Sequence, residues 1–188
     1  TRLRATPPNG ALELRQAIAR QLYRFRGVSV NAEQLIVGAG TEYLYNLIVQ
    51  LLGREAVYGV EDPGYDKAAR VYALGGAAVA PLRVDGGGVL TEELEKSSAQ
   101  ILHISPNHQF PTGAVTPIGR RQQILQWAAA RAGRYVIEDD YDSEFRFTGL
   151  PIPTLGSIDR AGRVLYVNTF SRTLAPSLRI SYLVLPEA

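Results

Sequence analysis

The sequence predicts an α/β fold of three layers, in which helices cover both faces of a mostly parallel seven-stranded sheet. Short apolar segments alternate with amphipathic helical segments along the chain, and glycine or proline turns separate them. This alternation is typical of parallel sheets whose crossovers are helices. The chain has 188 residues and no internal repeat or linker, so we expect a single domain over residues 1–188.

Seven apolar segments predict the strands. They are residues 35–37, 56–60, 77–82, 101–104, 135–137, 164–167 and 180–185. The connection between the last two is short for a helical crossover, so we expect the final strand to run antiparallel. Leu14, Ile18, Leu22 and Phe25 recur at helical spacing before Gly27, which predicts the first helix. Further helices are predicted after Thr41, Tyr65, Thr91 and Thr116.

Composition excludes several classes of protein. There are 20 basic and 18 acidic residues, 46% apolar residues and no cysteine. The net charge of +2 gives no broad basic field, so direct nucleic-acid binding has little support. No apolar run approaches the roughly 18 residues that span a bilayer, and no secretory leader is evident. We therefore expect no membrane contact and a cytoplasmic location.

Two loops combine groups that suit an anion. Residues 38–42 (GAGTE) lie between a strand and a helix, where free backbone N–H groups can hold a phosphate; a plain turn capped by Thr41 fits equally well. Residues 169–179 carry four hydroxyls and two guanidiniums. That set also suits a phosphate, the alternative being a polar turn between strands. Together the two loops favour phosphate.

Two other loops are rich in polar side chains. Residues 138–144 place five carboxylates in seven positions, which repel one another unless cations or donors lie near. They suit a hard metal, a cationic ligand, an aspartate facing a buried ring nitrogen, or a solvated loop. Residues 105–113 include His108, which is a candidate acid or base, although a lone histidine is more often a structural hydrogen-bonder.

Four motifs in this order resemble the core of fold type I, aspartate-aminotransferase-like pyridoxal-phosphate enzymes. They are residues 61–65, 108–113, 138–147 and 170–174. More narrowly they are similar to the MocR/GabR group, bacterial regulators that join a GntR-type winged-helix DNA-binding domain to an aminotransferase-like domain. The resemblance runs from about Gly10 to Pro186 and implies the large domain of that fold.

The resemblance implies a role for each matching side chain. Asp139 would pair with the ring nitrogen of pyridoxal 5'-phosphate and keep it protonated, and Tyr141 would bind the phenolic oxygen. Tyr65 would stack on the ring. A pyridinium accounts for the central carboxylate, so no metal is expected. The phosphate would be held by the backbone of Thr41 and Glu42, with Thr169, Ser171 and Arg179.

Position 172 departs from the family. The resemblance places there the lysine that joins covalently to the cofactor, but this chain has Arg172. A guanidinium stays protonated and delocalised, so it does not form an ordinary Schiff base. Lys67 and Lys96 lie elsewhere and are not evident substitutes. Three explanations stay open: a natural change with cofactor bound weakly or as an adduct already formed with an amine, a change engineered to block chemistry, or a relic domain.

The resemblance also implies what the chain does. The winged-helix domain and the small C-terminal domain of the family fall outside these residues, so we expect a fragment. The leading hypothesis is an effector-sensing domain that takes pyridoxal phosphate and a small amino compound, contacts DNA only through the missing domain, and belongs to a homodimer. The alternatives are a class I/II aminotransferase, moving an amino group between an amino acid and a 2-oxo acid, and a noncatalytic dimerisation module. Because Arg172 replaces the lysine, the sequence does not decide whether the domain is an enzyme.

Overall fold

The computed structural model describes residues 6–142, 152–171 and 175–187. The strands are β1 (Leu35–Gly38), β2 (Val57–Asp62), β3 (Ala78–Asp85), β4 (Gly88–Val89), β5 (Ile101–Ile104), β6 (Tyr135–Asp139), β7 (Val164–Thr169) and β8 (Ser181–Val184). The helices are α1 (Leu12–Arg26), α2 (Thr41–Leu52), α3 (Asp66–Leu74), α4 (Thr91–Lys96), α5 (Ile118–Ala129) and α6 (Leu155–Ile158). Short 3₁₀ turns cover Ala32–Gln34 and Pro176–Leu178.

The eight strands form one mixed sheet in the order β1-β8-β7-β6-β5-β2-β3-β4. The five strands from β7 to β3 in that order are parallel, which confirms the mostly parallel α/β prediction. The final strand β8 runs antiparallel to both β7 and β1, as the short connection predicted. The added strand, β4, pairs with the end of β3 in a segment predicted as a glycine turn. Two residues are too few to give a strand pattern in sequence.

Helices pack on both faces of the sheet. On one face, α2 and α3 bury Leu44, Ile48 and Tyr72 against strand residues that include Ile137. On the other face, α4 and α5 bury residues such as Trp127 against Leu102 and Val136. Helix α1 covers Tyr166 and Tyr182 near the antiparallel edge. This alternation of inward faces along each strand gives the three predicted layers.

The helix starts differ in detail from the sequence prediction. Gly40 precedes α2 with φ 104°, so the left-handed glycine, rather than Thr41, is the capping residue. Thr116 does not cap α5; its carbonyl accepts a hydrogen bond from Arg121 Nε at 2.8 Å. Helix α6 lies in a segment for which the sequence predicts no helix. Among the described helices none is both long and apolar enough to cross a membrane.

Candidate functional site

A cavity of about 220 Å³ opens at the carboxyl ends of the parallel strands, where ligands bind in open α/β sheets. Residues at or just beyond the carboxyl ends of five different strands meet there. The lining residues are Thr41, Tyr45, Tyr65, Ser105, Phe110, Asp139, Tyr141, Thr169, Ser171 and Arg179. The cavity therefore joins the glycine turn, the acidic stretch and the hydroxyl-rich loop that the sequence singled out.

Most of the predicted cofactor residues line this cavity. They are Thr41, Tyr65, Asp139, Tyr141, Thr169, Ser171 and Arg179. The Glu42 side chain is exposed and pairs with Lys67 at 3.5 Å instead, although its backbone lies in the first turn of α2. Arg172 lies outside the described residues, as does the part of the acidic motif from position 143 to 147.

Asp139 is the acidic group at the floor of the cavity, and it is 5% exposed. Its Oδ2 accepts a hydrogen bond from the Tyr45 hydroxyl and lies 3.5 Å from His103 Nε2. His103 Nδ1 in turn lies 2.5 Å from the Tyr72 hydroxyl oxygen. Oδ1 is buried and has no hydrogen-bond partner among the residues that the structure describes. One carboxylate oxygen is thus held from behind while the other stays open.

Local geometry explains how these four groups meet. Tyr45 lies four residues after Thr41, so both project from the same side of α2 toward the cavity. His103 on β5 is in register with Ile137 on β6, two residues before Asp139, and residues two apart share a face of the sheet. Neither Tyr45 nor His103 was predicted from the sequence as a site residue. The spacing from Thr41 could have identified Tyr45, but the position of His103 depends on strand pairing.

The acidic neighbours of Asp139 point elsewhere and have their own partners. Asp140 Oδ2 accepts hydrogen bonds from Arg26 Nε at 2.9 Å and from the Tyr166 hydroxyl at 2.6 Å. Its Oδ1 accepts one from Asn107 Nδ2 at 2.7 Å. Glu138 accepts two backbone N–H groups at the start of α6, each at 2.9 Å. Strand alternation therefore separates Asp139 from Glu138 and Asp140, which lie on the other face of the sheet.

Burial controls the charge of two glutamates near the site. It raises the pKa of Glu138 to about 7, and the Asp140 charge adds to the shift. It also raises the pKa of Glu61 to about 7, against the opposing effect of a hydrogen bond from the Ser105 backbone N–H at 3.2 Å. Glu61 Oε1 is buried without a partner in the described part of the chain. Both carboxyls therefore change charge near neutral pH.

His108 supports the rim of the cavity and does not line it. Its Nδ1 pairs with Asp142, and its ring stacks on the Tyr141 ring with centroids 6.0 Å apart. The imidazole is half exposed. These contacts fit the structural alternative for this histidine, because its partners orient the loop that carries Tyr141.

The opposite end of the cavity carries groups that suit an anion. A Cβ added to Gly40 would lie 2.5 Å from Arg179 Nη2, so the guanidinium packs against the glycine that precedes α2. Arg179 has φ 49° and ψ 31°, a left-handed conformation rare outside glycine. Ser171 Oγ is buried without a partner within the described ranges, beside Thr169. The Thr169 hydroxyl donates to the Ile180 carbonyl at 3.3 Å, so the Ser171 hydroxyl is the one left open. A helix N-terminus, a guanidinium and an open hydroxyl together suit a dianionic phosphate.

Two aromatic rings stand over the cavity. Tyr65 and Phe110 meet edge to face, with centroids 6.2 Å apart and an interplanar angle of 88°. Gln109 joins their loops, because its Nε2 donates to the carbonyls of Pro63 at 2.8 Å and Phe110 at 2.5 Å. Tyr65 and the loop that contains Phe110 were predicted from the sequence as parts of the site, but Phe110 itself was not. The rings offer an apolar face for a flat ligand.

Comparisons with known proteins agree with this geometry. The family model "Aminotransferase class I and II" matches residues 1–188. The HTH-type transcriptional regulator YdeL of Bacillus subtilis, described as uncharacterized, is 42% identical over 178 residues, which are 95% of this chain and 38% of that protein. The probable rhizopine catabolism regulatory protein MocR of Rhizobium meliloti is 37% identical, over 94% of this chain and 36% of its own length.

A third relative and two solved structures extend the comparison. The pyridoxine biosynthesis regulator PdxR of Corynebacterium glutamicum is 34% identical, over 96% of this chain and 39% of that protein. An archaeal alanine:glyoxylate aminotransferase superposes with a TM-score of 0.89 at 24% identity, over 98% of this chain and 48% of its own. LysN, the α-aminoadipate aminotransferase of Thermus thermophilus solved with N-(5'-phosphopyridoxyl)-L-leucine, has a TM-score of 0.86 at 26% identity, over 97% of this chain and 47% of its own.

The match covers the whole chain but only part of the relatives. The chain spans less than two fifths of the length of the three regulators. The fold, the motif order and the family model nevertheless agree over the full sequence. The resemblance inferred from the four motifs is confirmed, and the chain belongs to the aminotransferase class I and II family.

Proposed function

We propose that this chain is the pyridoxal-phosphate-binding, effector-sensing domain of a bacterial regulator of the MocR type. The observation that carries the proposal is the two-ended cavity, with an open carboxylate oxygen on Asp139 at one end and the Arg179 guanidinium at the start of α2 at the other. A ligand that carries a ring cation and a phosphate dianion matches both ends.

The acidic end fits the ring nitrogen of the cofactor. Asp139 Oδ1 is a buried acceptor without a partner among the described atoms, and leaving such a group unpaired is costly. A protonated ring nitrogen would supply the missing donor. Tyr141 lines the same cavity and would bind the phenolic oxygen, while Tyr65 would cover the ring face.

The opposite end fits the phosphate. Arg179 would supply a bidentate charge, and the open Ser171 hydroxyl would add a neutral donor. Thr169 would join them if its hydroxyl turned from the Ile180 carbonyl, to which it donates at 3.3 Å, toward the phosphate. The first backbone N–H groups of α2, at Thr41 and Glu42, would add the helix N-terminus. When bound, the cofactor would supply an electron-withdrawing ring whose aldehyde reacts reversibly with amines. The residues of this chain would orient it and exclude water from its ring nitrogen.

Regulation is supported by the relatives. YdeL, MocR and PdxR bear regulator names, and each is more than twice as long as the part matched here. DNA contact would therefore reside in another domain, and a small amino compound would act as the effector in a homodimer. Effector binding would change DNA affinity only through different affinities for two arrangements of the whole protein.

A class I/II aminotransferase is the second candidate. The alanine:glyoxylate aminotransferase and LysN share the fold, and the LysN ligand contains a phosphopyridoxyl group. Amino transfer needs a lysine to carry the proton at the substrate carbon, and position 172 is an arginine. The regulator is therefore the better-supported function.

A titration with pyridoxal phosphate tests cofactor binding. We expect the unmodified chain to bind it without a borohydride-reducible adduct at residue 172, and Arg172→Lys to give such an adduct, located by peptide mass. Arg131→Lys, at an exposed arginine after α5, adds a lysine away from the cavity and should leave the unmodified behaviour unchanged. A reducible adduct at Arg172 itself, or no cofactor binding by either form, would contradict the proposal.

A further inference from the structure

The Asp139 carboxylate is held from behind by a phenol hydroxyl. Tyr45 is 1% exposed and donates its hydroxyl to Oδ2. Burial and then the Asp139 charge raise the pKa of Tyr45 well above its usual value, so the phenol keeps the proton that it donates. The hydroxyl therefore stabilises the carboxylate without neutralising it.

A second donor is directed at the same oxygen. Tyr72 is fully buried, and its hydroxyl lies 2.5 Å from His103 Nδ1. If Tyr72 donates to Nδ1, the imidazole proton lies on Nε2, which faces Asp139 Oδ2 at 3.5 Å. The rings of Tyr45 and His103 are 5.0 Å apart and nearly perpendicular, so both approach Oδ2 from behind the cavity.

This arrangement fixes which oxygen remains for a ligand. The Tyr45 hydroxyl bonds Oδ2, His103 Nε2 faces the same oxygen at 3.5 Å, and Oδ1 has no partner within the described segments. A hydrogen bond to a carboxylate withdraws negative charge from it, so the oxygen left in the cavity is a weaker partner for a cation than that of an unbonded carboxylate. Tyr45 also lines the cavity, which places it next to the ligand.

We propose that Tyr45 is a positioning residue that presents Asp139 Oδ1 to the cofactor and limits how tightly the ring nitrogen keeps its proton. The inference rests on the proposed function for the identity of the ligand. A domain that senses an amine by reversible chemistry benefits when residues of the site set how tightly the ring nitrogen keeps its proton. Tyr45 would set that response through its hydroxyl alone.

The first test needs no ligand. In the proton NMR spectrum of the full unmodified chain we expect a downfield hydroxyl resonance from the Tyr45–Asp139 hydrogen bond, with a nuclear Overhauser contact to the His103 ring. The resonance should disappear in Tyr45→Phe and in Asp139→Asn. It should persist in Tyr166→Phe, which removes an equally buried hydroxyl from Asp140 instead. A missing resonance in the unmodified chain, or one that survives Tyr45→Phe, would overturn the proposal.

The second test measures the ligand. The probe is pyridoxine 5'-phosphate labelled with ¹⁵N in the ring, which lacks the aldehyde and so avoids chemistry with lysine. We expect the pH at which the bound ring nitrogen loses its proton to rise by about one to two units in Tyr45→Phe, and to stay unchanged in Tyr166→Phe. An unchanged titration in Tyr45→Phe would overturn the role of Tyr45. Failure of the unmodified chain to bind the probe would instead overturn the proposed function, while the first test would still decide the hydrogen bond.

Discussion

Asp139 and Asp140 are neighbours in sequence at the end of β6, yet their surroundings are opposite. Asp140 faces α1 and has a cation, a phenol and an amide on its two oxygens. Asp139 faces the cavity, accepts the Tyr45 hydroxyl and faces His103 on one oxygen, and has its other oxygen open in the described part of the structure. Both are almost fully buried, so exposure does not distinguish them.

The difference lies in how completely each charge is compensated. A buried carboxylate with a guanidinium and two further donors has its charge paired and both oxygens hydrogen-bonded, so it needs no further partner. A buried carboxylate with an open oxygen is incomplete until a donor arrives. Of the two residues, Asp140 is therefore a structural group and Asp139 is the group suited to bind.

The largest expected effect on stability comes from breaking the ion pair between Arg26 and Asp140. Arg26→Met leaves Asp140 buried without its cation, because the guanidinium is 9% exposed and the carboxylate 0%. We expect the free energy of unfolding to fall by about 3 to 5 kcal/mol, measured by denaturant titration. Arg24→Met, at an exposed position of α1, should change it by less than about 0.5 kcal/mol. Addition of Asp140→Asn to Arg26→Met should recover part of the loss; no recovery would contradict the pair as the cause.

The next effect comes from pH. The pKa of Glu61 is about 7 in the folded chain against 4.5 as its ordinary value, so the folded state holds a proton that the unfolded state has released. The resulting stability is full below pH 4.5 and is lost as the pH rises through 7. Between pH 5 and 8 we expect Glu61 to remove about 2 to 3 kcal/mol from the free energy of unfolding. Glu138, with the same sign, adds to the slope.

Glu61→Gln isolates that contribution. The amide oxygen can still accept the Ser105 N–H, and the change removes the titration. The loss of stability between pH 5 and 8 should be smaller in this variant by the amount assigned to Glu61. Glu95→Gln, at an exposed glutamate of α4, should leave the pH dependence unchanged. An unaltered slope in Glu61→Gln would show that other groups cause it.

The smallest effect on stability is expected from substitution of Asp139. Asp139→Asn retains an oxygen for the Tyr45 hydroxyl and removes a charge that no guanidinium or ammonium group contacts among the described residues, so we expect the free energy of unfolding to change by less than about 1 kcal/mol. Binding of pyridoxal phosphate to the Arg172→Lys chain should weaken at least about tenfold, since a charged hydrogen bond is lost. Asp140→Asn should lower the free energy of unfolding more than Asp139→Asn does, and should leave the binding of pyridoxal phosphate nearly unchanged. Unchanged binding in Asp139→Asn would contradict the comparison.

Local patterns were enough to predict much of the fold. The seven apolar segments, the antiparallel last strand and the helix after Gly40 depend on residues close in sequence, and all are found. The two-residue strand β4 and the four-residue helix α6 carry too few residues for a periodic pattern. The cavity-lining loops were also predictable, because glycine, hydroxyl and acidic clusters at strand ends are visible in the sequence.

The partners within the site were not predictable from sequence. Arg26 and Asp140 are 114 residues apart, and nothing near either residue indicates the other. Tyr45 and His103 look like ordinary members of a helix and a strand until the sheet order brings them behind Asp139. Asp139 as a ligand contact is a prediction from the sequence, and the tertiary structure adds the side chains that lie behind its carboxylate.

The left-handed backbone at Arg179 has a consequence for redesign. Glycine or asparagine adopts that conformation more readily than arginine, so substitution by either would relieve local strain in the loop before β8. A procedure that selects only for folding stability would favour such a replacement and would delete the guanidinium beside Gly40. At this position, improvement of the scaffold and retention of the proposed anion contact select for different amino acids.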